Sequence, residues 1–197
     1  MFIILLASFS SVPASADYTQ CNGCHLYGGK FEGYSSAPSS LGYWSDLSIT
    51  QYGYSDSVTE AVSQWGPQAY IPSFNSSSES NAQIKYYIGT LDPLVGGQVF
   101  FYNSVDLDIS NSVEGTDIGY KHAIVVIHHD YLKTLSGFGP SLRHTIVTHE
   151  TGHTLGVSHL TNSPAHTGSN VMNAGASTYT LTTTDIQHAQ YKFLNDY

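Results

Sequence analysis

A small α+β domain is what this sequence predicts, on three observations. The length is 197 residues, enough for one domain with a substantial core, since chains split into separate domains only beyond about 250 residues. Short β-branched and aromatic runs come first and helical patterns last, with one amphipathic helix early among the strands. No internal repeat breaks that order.

The elements follow in chain order. Residues 2–9 are apolar and lead to Ala14-Ser15-Ala16, a run too short to span a bilayer placed before a small-x-small cleavage site. Residues 1–16 are therefore read as a secretory signal and the remainder as a secreted, extracellular protein. Residues 17–41 form an N-terminal arm with the only two cysteines, in Cys21-Asn22-Gly23-Cys24-His25. In an oxidising compartment Cys21 and Cys24 are expected to form a disulfide. C-x-x-C-H is also the attachment pattern of c-type haem, which makes an exported cytochrome the weaker alternative. Gly28, Gly29, Gly33 and Pro38 follow it and cannot propagate a helical shell.

Residues 47–54 partly alternate and predict a first strand. Ser57-Val58-Thr59-Glu60 has the form of a capping box. Val58, Ala61, Val62 and Trp65 then recur at helical spacing, so an amphipathic helix is expected up to Gly66-Pro67. Residues 72–82 are rich in Ser and Asn and read as a loop, with a glycosylation sequon at Asn75-Ser76-Ser77. Three further strands are expected at 84–91, 98–102 and 123–128. Two helices close the chain. One starts near Pro140, and one is capped over Thr182 to Asp185 with Ile186, Ala189 and Phe193 on a common face.

Composition narrows the function. Charged residues make up 11% of the chain, against about 25% in an average protein. A net charge of −9 repels phosphate backbones, and six Lys and Arg cannot build the basic stripe that nucleic acid requires. Neither nucleic acid nor, after signal cleavage, a membrane is expected as a partner. Histidine is the excess, with ten residues in the chain.

Three of them lie in Thr148-His149-Glu150-Thr151-Gly152-His153-Thr154-Leu155-Gly156-Val157-Ser158-His159. On a helix, residues four apart differ by about 40° in azimuth, so His149 and His153 project from one face and can reach one cation. Glu150 lies about 100° round from His149, beside such a cation rather than on it. Gly156 can take the left-handed conformation that ends a helix and turns the chain, returning His159 as a third imidazole. Three neutral histidines with an open fourth position are the pattern of a catalytic zinc. With this chain's residue frequencies the five fixed positions would arise by chance with a probability of about 5 in 100,000, so coincidence is a poor explanation.

H-E-x-x-H-x-x-G-x-x-H followed by a methionine resembles the signature of the metzincin clan of zinc endopeptidases. Met172, in Ser169-Asn170-Val171-Met172-Asn173, is similar to the clan's Met-turn residue. The resemblance covers residues 42–197 and is nearest to the small matrixin-like domains. It implies a twisted, mostly parallel sheet of about five strands with an antiparallel edge strand, an early helix, an active-site helix and a C-terminal helix. It also implies one catalytic Zn2+ on His149, His153 and His159, with Glu150 as general base and acid in peptide hydrolysis. The substrate would be an extended polypeptide adding a strand to an exposed sheet edge, with 98–102 and 123–128 as candidates, and the enzyme would act as a monomer. Leu160 follows the third histidine where subfamilies carry Ser, Asp, Glu or Pro, leaving the subfamily open. Ala174 stands two residues after Met172, so no extra tyrosine ligand is expected. The arm at 17–41 would then be a candidate short pro-segment in which Cys21, Cys24 or His25 masks the metal. A catalytically inactive, zinc-retaining binding module is the alternative function.

The other histidines carry less. His144 is five positions before His149 and about 140° away on a helix, so it is not expected to ligate. His122, His128 and His129, with Asp106, Asp108, Glu114 and Asp117, are candidates for a second, structural Zn2+ or Ca2+ site, although no spacing matches an EF-hand or zinc finger.

Overall fold

The computed structural model describes residues 26–113, 117–160 and 169–197. In chain order the elements are β1 (Lys30–Phe31), β2 (Ser40–Ser45), α1 (Leu47–Gln51), α2 (Ser55–Trp65), β3 (Ser73–Ser76), β4 (Ile84–Ile88) and β5 (Gly97–Tyr102). They continue with α3 (Ser110–Val113), β6 (Gly119–Tyr120), β7 (His122–Ile127), α4 (His129–Leu132), α5 (Pro140–Thr154) and α6 (Thr183–Asn195). The expected signal segment, Cys21, Cys24 and His25 lie outside the described residues.

Five strands form one sheet in the order β3-β2-β4-β7-β5. The first three pairings are parallel, and β5 joins β7 antiparallel at the edge. The architecture is therefore mixed α+β on a mostly parallel sheet with an antiparallel edge strand. Strands β1 and β6 make a separate parallel pair. Among the described residues no helix is long and apolar enough to cross a membrane.

Alternation places Leu41, Ile84, Tyr86, Val99, Phe101, Val125 and Ile127 on one buried face. Against it lie Val58, Ala61 and Trp65 of α2 and Ile146 and Val147 of α5. Helix α5 is unusual in being buried on every side from Thr145 to Thr154, despite its polar sequence. That burial is tolerable because most of its polar groups are bonded, the Thr148 hydroxyl being the exception. Thr145 and Thr151 hydroxyls donate to carbonyls four residues back, at 2.9 and 2.7 Å. The Trp65 indole donates to the Thr148 carbonyl at 3.0 Å, and the Tyr120 hydroxyl to that of Thr154 at 3.1 Å.

Three sequence expectations are corrected. Residues 47–54 are not a strand: Asp46 accepts the Ser48 N–H at 2.8 Å as an N-cap and starts α1. The strand is β2, immediately upstream. The Ser57–Glu60 capping box is not used, because α2 begins at Ser55 with Tyr54 at its N-cap position and no side-chain cap. The loop expected at 72–82 contains β3, which pairs with β2 in spite of its Ser and Asn content. The Thr182/Asp185 capping box of α6 is present in both directions.

Candidate active site

The histidine face of α5 is set by local geometry. His149 and His153 stand one turn apart within the helix, and the helix then ends in a Schellman motif. The Val157 N–H donates to the Gly152 carbonyl at 3.2 Å and the Gly156 N–H to that of His153 at 2.9 Å. Gly156 has φ 86°, the left-handed region that glycine enters without penalty. The chain reverses there and brings His159 back over the helix.

The three Nε2 atoms form a near-equilateral triangle. His149 to His153 is 3.0 Å, His149 to His159 is 3.1 Å and His153 to His159 is 3.3 Å. The Nδ1 atom of His149 meets the Val171 carbonyl at 2.6 Å, and that of His153 meets the Val157 carbonyl at 2.7 Å. A carbonyl can only accept, so both Nδ1 atoms carry the proton and both Nε2 atoms present lone pairs. Two lone pairs facing each other at 3.0 Å call for a cation between them. Nitrogen ligands at about 2.0–2.1 Å round a tetrahedral zinc lie about 3.3–3.4 Å apart, so the triangle is of the right size for such an ion and tighter by up to about 0.4 Å. These residues form the one group of three or more metal-ligating side chains among the described residues.

Burial dominates the electrostatics. It pushes the imidazole of His149 down to about 4 and that of His159 to about 3, and holds His153 well below its ordinary value. All three are therefore neutral and ligand-ready at neutral pH. The same burial pushes the Glu150 carboxyl up to about 8. Glu150 packs over the first residue of β5, where a Cβ on Gly97 would lie 2.7 Å from Oε1. The glycine makes room for the carboxyl.

Met172 is fully buried. A Cβ on Gly152 would overlap its sulfur and lie 2.7 Å from Trp65 Cζ2, so the methionine rests on α5 at a position between His149 and His153 in sequence. The Leu160 N–H donates to the Met172 carbonyl at 2.9 Å, joining the segment after His159 to this turn.

Two supporting groups escaped the sequence reading. Asp185 accepts the N–H groups of Val171 and Met172 at 3.1 Å each, together with the Thr182 N–H and hydroxyl at 2.8 Å. The carboxylate thus fixes the turn whose Val171 carbonyl orients His149, a bond that sets the tautomer of a metal ligand. Tyr27 brings its hydroxyl to 3.3 Å from His153 Nδ1. The capping box had marked Asp185 only as a helix start, and no local pattern marks Tyr27.

The other candidates disperse. His144 lies edge-on to Tyr179 at 5.2 Å between centroids, outside the cluster as expected. His128 meets the Val95 carbonyl, Asp117 pairs with Lys30, and Asp108 accepts from Ser110. His122 comes no nearer than 3.9 Å to Asp106. The described residues of the proposed second metal set do not converge, and Glu114 lies outside them. Of the two candidate substrate-docking strands, residues 123–128 are corrected: β7 is interior, whereas β5 is at the edge.

No protein-family profile and no curated protein matches the chain. A chain of a solved structure described as the GM1 bound form of the ECX AB5 holotoxin is similar in fold. Its TM-score is 0.50 at 13% identity, over 87% of each chain.

Proposed function

We propose that this protein is a secreted zinc-dependent endopeptidase of the metzincin kind. The observation that carries the reading is the Nε2 triangle of His149, His153 and His159, with tautomers set by backbone carbonyls and Glu150 next in the helix. The strand order and the antiparallel edge strand agree with it, and the secretory assignment rests on residues 1–16 of the sequence.

His149, His153 and His159 would hold the ion, which supplies Lewis acidity and a water of lowered pKa. Glu150 accepts the proton of the attacking water on a carboxylate oxygen and returns it to the departing amine nitrogen. Its carboxyl is held protonated near neutrality by burial alone, and an adjacent divalent charge favours the ionised form. The base is thereby armed only in the loaded site. An extended substrate adds to the free edge of β5 at residues 97–100, beside Glu150, by main-chain hydrogen bonds. The other half of that edge is taken by Ser110 and Ile109, which bond to Phe101.

The test measures zinc per mole of protein and cleavage of a peptide library with and without a chelator. One zinc and chelator-sensitive hydrolysis are expected. Glu150→Ala should keep the zinc and lose at least about a hundredfold in rate, while His153→Ala should lose both. A Glu150→Ala protein that cleaves at the wild-type rate sinks the mechanism.

A further inference from the structure

A cavity of about 460 Å³ opens where the parallel strands begin. Its polar lining includes Lys85, Lys121, His122, Asp106, Gln83 and Asn81. Glu150 packs on Gly97, which is opposite Ile127, whereas His122 is opposite Tyr102. Five residues of strand separate the two places, or about 17 Å.

The local charge reverses that of the molecule. The chain holds six Lys and Arg against fifteen Asp and Glu, yet two of those cations and a histidine line this cavity with one carboxylate. Lys121 pairs with Asp106 at 3.4 Å. Among the described residues the Lys85 ammonium has neither an ion pair nor a hydrogen bond. His122 is 7% exposed and lies flat on the Tyr102 ring at 5.1 Å. Its Nδ1 is 3.9 Å from Asp106, beyond hydrogen-bond reach, and no described residue bonds to the ring. Its ring nitrogens are not among the buried atoms left without a partner, so they reach the open space of the cavity. Gln83 uses its carbonyl oxygen to accept the Gly42 N–H at 2.6 Å, which leaves its NH2 as a donor.

We propose that this cavity binds a small carboxylated sugar. The ligand's carboxylate sits on Lys85 and His122, and its hydroxyls donate to Asp106 and share the amides of Asn81 and Gln83. Asp106, offset by Lys121 at 3.4 Å, adds beside the cations an acceptor that the hydroxyls of a polyhydroxylated acid can use and a bare anion cannot. The volume falls within the range of about 300–1,000 Å³ usual for small-molecule sites.

Calorimetric titration with glucuronate, glucose and inorganic sulfate tests this. A chelator is present throughout, so peptidase activity has no bearing on the result. Glucuronate is expected to bind one to one, at least about tenfold tighter than glucose or sulfate, and Lys85→Glu to weaken it by about tenfold or more. Lys85 is half-buried, and Lys121→Gln, at an exposed position, provides a second variant that should fold. Glucuronate binding no tighter than glucose overturns the site, as does indifference to both variants. Sulfate matching glucuronate overturns the sugar assignment.

Discussion

Glu150 is where burial and chemistry pull in opposite directions. Its folded-state pKa of about 8 lies above the ordinary value of 4.5. The stability this group contributes is complete below pH 4.5 and is lost as pH rises through 8. His149 and His159, depressed to about 4 and about 3, act in the opposite sense: their contribution is complete above pH 6.5 and is lost as pH falls through those values. Between pH 6.5 and 8 the unfolded-state histidines shed their remaining protons, which raises stability, and Glu150 acts against them. Relative to Glu150→Gln, the metal-free protein should therefore lose stability across this window, by about 2 kcal/mol. Urea unfolding in chelator at the two pH values checks it, with Glu150→Gln expected to gain stability as pH rises while the parent protein does not. Parallel slopes in the two proteins would refute a buried neutral carboxyl.

At the scale of elements, the helix α5 and the Met172 turn behave as one packed unit whose spacing is set by Gly152. Alanine is ordinarily the better helix former by about 1 kcal/mol. Here its methyl would overlap the Met172 sulfur and press on Trp65, and overpacking of this sort costs about 1–3 kcal/mol. Gly152→Ala is therefore expected to be destabilising and to weaken zinc binding, because Val171 orients His149 from the same turn. A cycle with Met172→Ala should show the two changes compensating, the added methyl filling part of the space left by methionine. Strict additivity would mean that the contact does not govern the unit. The clustering of His149, His153 and His159 was legible in the sequence because these residues and Gly156 depend on helix period and one left-handed turn, both local rules. Helices α2 and α6 were visible by the same periodicity. β3 was not, since its Ser and Asn residues become a strand only by pairing with β2. The strand expected at 47–54 failed because the Asp46 cap prevailed over a weak alternation.

Across the whole molecule, the first described segment and the last helix close together over the end of α5. Leu26 bridges to Val157, the Tyr27 N–H donates to the Gly156 carbonyl at 2.8 Å, and the Phe31 N–H donates to the Tyr197 hydroxyl at 2.8 Å. Leu26 and Phe31 are buried in the common core. The fastening is Lys192, only 1% exposed. Its ammonium donates to the Tyr27 carbonyl at 2.6 Å and pairs with Asp196, and its aliphatic stem covers Gly156. Nothing in the local sequence separates this lysine from a solvated one; its role comes from contacts with residues about 165 positions away. Removing one partner of a buried pair strands the other charge, at a cost of about 3–5 kcal/mol, whereas replacing both is often near neutral. Lys192→Met should therefore lose about 3 kcal/mol and loosen Tyr27 from His153, lowering zinc affinity. Lys192→Met with Asp196→Leu should recover much of the stability, while the Tyr27 and Gly28 carbonyls still lack their donor and zinc affinity stays reduced. Denaturant unfolding and competition against a chromophoric chelator measure the two quantities separately. If the single variant is as stable as wild type, the clasp does not hold the ends of the chain together.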